Sequence, residues 1–308
     1  MERLDGGSAV PPALAGGIVA LGNFDGFHLG HQAVVGRAVA RARAEGRPAL
    51  VATFDPHPVR HFRPDTPPFR LTTLDQRAAL FAAAGVDAMV VFHFDGDLAA
   101  LSAEAFIAGR LHANLQVAGV VTGADFTFGK GKSGDVAMLA ARGAAHGFTA
   151  ETVGAVTLDG EPVSSSRIRA ALRAGDPRGA ARLLTRPFAI EGAVQHGDKL
   201  GRTIGYPTAN LDMGKYLRPA YGIYAVTGRL ADGRVLKGAA NLGIRPTFDP
   251  PKELLEPYFF DFAGDLYGQG IEVALIDYLR PEAKFDRLDA LTAQMEADCA
   301  RARALLDG

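Results

Sequence analysis

The sequence predicts an α/β chain in two parts: a parallel sheet covered by helices, then a small antiparallel β-barrel with a terminal helix. Three observations carry this. Up to Gly147, wholly apolar runs alternate with segments of helical periodicity. Beyond residue 185, short strand patterns follow one another with turn residues between them and no helix among them. The length of 308 residues, 48% of them hydrophobic, allows each part its own core.

Taken in order, residues 17–22 (GIVALG) are apolar throughout and read as a buried strand. In the segment that follows, Val34, Val35, Ala38, Val39 and Ala42 share one helical face, and Gly46 supplies a stop. Residues 49–54 form a second strand, LDQRAALFAAAG a second helix, and residues 88–94 a third strand. SAEAFIAGRLHANL is helical, residues 117–123 make a fourth strand, and GDVAMLAARGAAHG is helical again. Strands without a polar face that alternate with helices belong to a parallel sheet covered on both sides, a Rossmann-like arrangement.

The rhythm breaks at LLTRPF, so the expected domains are 1–185 and 186–308. In the second, FAIEGAVQHG, GIYAVTGRL, RVLKGAANLG, PYFFDF and IEVALIDYL read as strands, and LADGRV as a hairpin turn. An amphipathic helix over residues 288–306 closes the chain.

Composition narrows the function classes. A net charge of −1 argues against a nucleic-acid binder held by bulk positive charge. Cys299 is alone, so neither an internal disulfide nor a cysteine zinc site is possible, and a cytoplasmic location fits. The N-terminus, broken by prolines and glycines, is a poor signal peptide, and no apolar run suits a membrane span. No internal repeat is visible, and a homo-oligomer stays open.

The stretch LGNFDGFHLGHQ (residues 21–32) falls where the first strand passes into the first helix. In an open parallel sheet, ligands bind at the carboxyl ends of strands, where helix N–H groups attract anions. Gly22, Asn23, Phe24 and Asp25 form the turn, and His28 and His31, three apart, share a helix face. Such a pair can hold a phosphate group and donate to its developing charge. Zinc would need a third ligand, for which His57 is the nearest candidate in sequence. SSSRIR (residues 164–169) clusters Ser164 and Ser165 before Arg167 and Arg169 at a helix start, a second anion site.

Further on, HGDKLGRTIGYPTANL places Thr208 and Asn210 two apart, so an extended backbone turns both one way. Their hydroxyl and amide oxygens are hard ligands suited to Mg²⁺, while Gly201 and Gly205 let the backbone approach phosphates.

HLGH and SSSRIR together resemble the two signatures of the HxGH nucleotidyltransferases. TFDPHP, RLTTLDQRAAL and VVTGADFTFGKGKSGD are similar to the N-terminal module of bacterial bifunctional riboflavin kinase/FAD synthetases. PTAN, NLGIRPTF, FFDFAGDLYG and the last helix resemble that family's kinase module. The resemblance implies ATP-dependent phosphorylation of riboflavin to FMN, then adenylylation of FMN by ATP to FAD, both with Mg²⁺. It implies that His28 and His31 stabilise charge at the α-phosphorus, with Ser164, Ser165, Arg167 and Arg169 on the triphosphate. Phe54, His57, Phe62 and Asp125 would meet the flavin, and Lys130 and Lys132 phosphates. In the kinase module, Thr208 and Asn210 would hold the metal. Glu256, just before the PYFFDF strand, would be the general base for the ribityl hydroxyl. Two departures stand out. Glu256-Pro257-Tyr258 replaces the family's usual Glu-Val-His, and Thr185 stands where glycine is more usual. Nucleotidyl transfer to another acceptor, or a flavin sensor without chemistry, remain as alternatives.

Overall fold

The computed structural model describes residues 1–195, 206–245 and 252–308. They form two compact units, Met1–Pro67 with Thr72–Ser164, and Pro68–Leu71 with Ser165–Gly308.

The first unit is built on six parallel strands: β1 (Glu2–Asp5), β2 (Ile18–Leu21), β3 (Ala49–Asp55), β4 (Ala88–His93), β5 (Gly119–Gly123) and β6 (Thr149–Val153). Their order is β1-β4-β3-β2-β5-β6. Helices α1 (Leu29–Glu45), α2 (Pro58–Phe62), α3 (Leu74–Ala83), α4 (Gly96–Ala100), α5 (Ala103–Ala105) and α6 (Val136–Ala145) connect them, α5 continuing as a π-helix over Phe106–Asn114. Alternate residues of each strand enter opposite cores. Ile18, Ala20, Val51 and Met89 pack with Val34, Val35 and Val39 of α1. Val19, Leu21, Leu50 and Val90 pack with Ile107, Leu111 and Leu139. Each fully buried Val, Leu or Ile contributes about 1.5–3 kcal/mol, so both faces demand apolar side chains. That is why these strands lack a polar period. β1 escapes sequence detection because ERLD is a mostly exposed edge strand with no apolar run. The chain steps from β2 to β3 and β4 on one side, then to β5 and β6 on the other. The crevice at this reversal lies between the carboxyl ends of β2 and β5, where α1 begins. A hairpin of β7 (Thr157–Leu158) and β8 (Glu161–Pro162) leads out of the unit.

The second unit opens with α7 (Ser165–Arg173) and α8 (Pro177–Leu184). The latter carries a start signal that is legible in the sequence. Asp176 accepts from the Gly179 N–H at 2.7 Å, Pro177 sits at the first position, and Ala180, Leu183 and Leu184 are buried. The barrel strands are β9 (Phe188–Ala193), β10 (Leu211–Asp212), β11 (Gly222–Leu230), β12 (Val235–Arg245), β13 (Lys252–Phe259) and β14 (Gly270–Arg280). Their order is β10-β13-β12-β11-β14-β9, all antiparallel. The Gln195 N–H donates to the Asn210 carbonyl at 2.8 Å and ties the two edges together. The expected hairpin turn joins β11 to β12, with Gly233 at φ +88° and the Leu230 N–H donating to the Arg234 carbonyl at 2.9 Å.

Directly paired residues share a face. Tyr224, Ala240 and Pro257 therefore point inside, and Ala225, Ala239 and Tyr258 outside. Helix α9 (Leu288–Asp307) covers part of the outer face, burying Ala302 with Ala225, Ala239 and Leu279. It is clasped by Arg280, whose guanidinium donates to buried Asp298 at 3.0, 3.0 and 2.7 Å. One expectation needs correcting. The PYFFDF segment begins inside β13 rather than opening it, so Glu256 lies within the strand, and the strand stops before Asp261 at φ +54°. Pro257 is tolerated there because its carbonyl accepts from the Ala209 N–H at 2.9 Å. The side from which the proline lacks a donor thus faces the segment before β10, not the long ladder with β12. Among the described residues no helix is long and apolar enough to cross a membrane.

Candidate active sites

In the first unit, His28 is the N-cap of α1, 5% exposed, and its Nδ1 accepts from the His31 N–H at 3.4 Å. With Nδ1 accepting, the ring hydrogen of the neutral imidazole sits on Nε2. The two imidazoles stack, centroids 3.6 Å apart and 19° between planes. The edge of Phe24 meets His31 at 5.3 Å. Gly30 makes the stack possible: a Cβ there would stand 3.2 Å from Cε1 of His28. His28, Gly30 and His31 of the sequence H-L-G-H thus have separate physical tasks.

The turn before them is braced from beneath. Phe24 has φ +51° and is buried against Phe81. The room left by Gly22 is filled by the Phe24 ring, 3.0 Å from where a Cβ would stand. Asp25 is buried and accepts from the Thr72 N–H at 3.0 Å. Phe24 and Asp25 therefore face the interior and shape the turn, whereas the buried Asn23 Oδ1 has no hydrogen-bond partner among the described residues. The same holds for Thr122 Oγ1, at the carboxyl end of β5.

Aromatic groups gather at the ends of β3 and β4. Phe54 packs on Phe92 at 5.5 Å and meets Phe94 at 6.0 Å, and Phe62, 66% exposed, meets Phe94 at 5.9 Å. Phe94 is thus the link between two expected flavin contacts, and the sequence offered only its place as the last residue of an expected strand. His57 caps α2, its Nδ1 accepting from the Val59 N–H at 3.2 Å. Asp125 and Lys130 are exposed beyond β5, and Lys132 is exposed with φ +58°. Ser164 ends the first unit, while Ser165, Arg167 and Arg169 belong to the second on α7. There Arg169 Nε donates to the Phe69 carbonyl at 2.8 Å, and its guanidinium lies over the Phe69 ring.

In the second unit, β10 and β13 pair Leu211 with Leu255. Carrying that register on through the Ala209–Pro257 hydrogen bond sets Asn210 opposite Glu256 and Thr208 opposite Tyr258. From the other side, Asn241 pairs directly with Glu256. Glu256 is therefore flanked by two carboxamides on the outer face, and the buried Asn241 Oδ1 has no hydrogen-bond partner among the described residues. Sequence reasoning quoted Asn241 within a motif without giving it a role. An open pocket beside Thr208 is bounded by Pro207, Phe259, Phe262, Asp265 and Tyr267. Tyr206 meets Tyr258 at 5.0 Å, and burial pushes its phenol pKa up, which keeps it a neutral donor. Gly201 and Gly205 lie outside the described residues.

The family model for FAD synthetase matches residues 10–167, and that for riboflavin kinase residues 184–306. A bifunctional riboflavin kinase/FMN adenylyltransferase of Pseudomonas fluorescens is 42% identical over 99% of this chain and 98% of its own length. The chain belongs to the bifunctional riboflavin kinase/FMN adenylyltransferase family. A family member from Haemophilus influenzae is 39% identical over 96% of both chains. A crystal structure of a macrolide-efflux protein from Streptococcus pneumoniae has a TM-score of 0.86 at 31% identity, covering 97% of each chain. The order of the two family modules is the one that the ordered motifs imply, and the architecture of each unit agrees with the Rossmann-like sheet and the barrel that the sequence predicts.

Proposed function

We propose that the chain, working in the cytoplasm, phosphorylates riboflavin to FMN in residues 186–308 and adenylylates FMN to FAD in residues 1–185. Supporting this is the pairing of one family module with each set of motifs. The observation that carries the adenylylation half is the imidazole stack at the sheet's reversal point. His28 and His31 donate to charge developing at the α-phosphate of ATP, and no covalent intermediate is needed. Gly22, Asn23, Phe24 and Asp25 form the floor of that site. Ser164, Ser165, Arg167 and Arg169 bind the triphosphate, with Lys130 and Lys132 as further point charges. Phe54, His57, Phe62 and Asp125 receive the flavin, with Phe94 supporting the rings.

For the kinase half, Glu256 accepts the proton of the ribityl hydroxyl as that oxygen attacks the γ-phosphorus. Asn210 stands beside it. Among the described residues no group of three His, Cys, Asp or Glu could hold a metal. The Thr208 hydroxyl and the Asn210 amide oxygen are hard donors that suit Mg²⁺, which keeps water and substrate phosphates as most of its shell. Thr208 and Asn210 would hold it, and when bound it offsets phosphate charge. Gly201 and Gly205 remain expected phosphate contacts.

The test is chromatography of riboflavin incubated with ATP, Mg²⁺ and purified protein. FAD should accumulate through FMN. His28→Ala should stop at FMN. Asn210→Ala should fail to make FMN yet still adenylylate added FMN. Unchanged riboflavin with the wild-type protein, loss of FMN in His28→Ala, or failure of Asn210→Ala to adenylylate added FMN would refute the assignment of the two reactions.

A further inference from the structure

The segment TTLDQR, which opens α3, has no task in the reactions above, yet Thr72, Gln76 and Arg77 of it are buried. Thr72 is buried, Thr73 and Gln76 cap the helix reciprocally at 3.0 and 3.0 Å, and Arg77 is 3% exposed. A buried guanidinium is costly unless its geometry is well served. Arg77 Nη1 donates to the Asn23 carbonyl at 2.9 Å and to the Thr53 hydroxyl oxygen at 2.9 Å. The Thr53 hydroxyl in turn donates to the same Asn23 carbonyl at 2.9 Å, closing a triangle. Nη2 stands 3.9 Å from Asp55 Oδ1.

The target of this triangle is informative. Two donors on one carbonyl fix the plane of the Asn23–Phe24 peptide. The next residue, Phe24, holds φ +51°, and Phe27 holds φ +43°. Positive φ at a bulky residue persists only where surroundings over-determine it. On the other flank, Thr72 donates its N–H to Asp25 at 3.0 Å and accepts from the Gly26 N–H at 2.9 Å. The turn is therefore gripped at Asn23 and at Asp25–Gly26, immediately before the stacked His28 and His31.

We infer that Arg77 is a positioning residue for adenylyl transfer, fixing through the Asn23 carbonyl the turn that presents the two imidazoles. This rests on the proposed role of His28 and His31. The guanidinium plane holds the two Nη1 hydrogens in fixed directions toward the two oxygens, whereas an ammonium rotates on a flexible stem.

Kinetics of FAD formation from FMN and ATP test it, with FMN formation by the same molecules as the internal control. Arg77→Met should lower kcat on the order of 10- to 100-fold, the scale of a sub-ångström misplacement, while KM for FMN holds. Arg77→Lys should recover part of the loss. On the residual rate of a protein that carries both His28→Ala and His31→Ala, Arg77→Met should cost little more, since the groups it positions are gone. Independent, multiplying losses in that cycle, or an unchanged kcat in Arg77→Met, would overturn the inference. If Arg77→Met fails to fold, Thr53→Val decides, since it removes one corner of the triangle and should lower kcat in the same way. Full FAD formation by His28→Ala alone would instead overturn the role of the imidazoles, a separate outcome.

Discussion

Gly30→Ala sets helix propensity against the imidazole stack. By propensity alone the change should help, since alanine in place of helical glycine is worth roughly 0.5–1 kcal/mol. The added methyl, however, would stand 3.2 Å from Cε1 and 3.3 Å from Nδ1 of His28, and 3.6 Å from the Val163 carbonyl. Comfortable carbon contacts begin near about 3.5 Å, so the His28 ring must retreat by a few tenths of an ångström. It cannot do so freely, because it is buried and its other face is stacked on His31 at 3.6 Å. Misplacement by about 1 Å can cost roughly 100-fold in rate, so a third of that distance should cost on the order of 5- to 10-fold. The expected result is a thermal midpoint within a few degrees of wild type and a clear drop in kcat for FMN adenylylation. FMN formation should stay unaltered. Steady-state assays of both reactions, with a thermal melt of the same preparation, give the answer. Wild-type adenylylation in a folded Gly30→Ala protein would show that the stack does not set the rate.

Three further outcomes are expected. Glu256→Gln should reduce kcat for FMN formation by roughly 10²–10⁴-fold with riboflavin affinity nearly intact, and unaltered turnover would remove its role as base. The Glu253 carboxyl feels burial, which would raise its pKa, but hydrogen bonds from Tyr221 and from Arg218 at 2.7 Å outweigh it and hold the pKa below 4.5. A folded pKa below the unfolded one stabilises above that unfolded value and is lost as pH falls through the folded value. The gap in melting temperature between wild type and Glu253→Gln should therefore close on acidification below 4.5. A gap that stays constant there would contradict the pairing. Burial, with Asp298 beside it, pushes the Cys299 thiol up to about 11. Alkylation at pH 8 should be about 100-fold slower than for a free thiol and recover on unfolding; equal rates would show an accessible thiolate.

Much of the first unit was legible because its strands are buried on both faces and its helices carry one apolar stripe. Edge elements were not. β1 has no apolar signal, and nothing local to Pro257 shows that it stands inside β13. Only the sheet shows that the side of Pro257 without a donor meets Ala209, where a missing N–H breaks no long ladder.

The sequence by itself determined the alternation of strands and helices, the short strands of the barrel, and the motifs that stand at strand ends. These depend on periodicity and on local turn chemistry, both written in neighbouring residues. Only the tertiary structure decided which side chains touch. The stacking of His28 on His31, the inward turn of Phe24 and Asp25, the Arg77–Thr53–Asn23 triangle and the flanking of Glu256 by Asn210 and Asn241 all depend on contacts or strand register. Such contacts join residues up to tens of positions apart, and no local period encodes where two buried polar groups will meet.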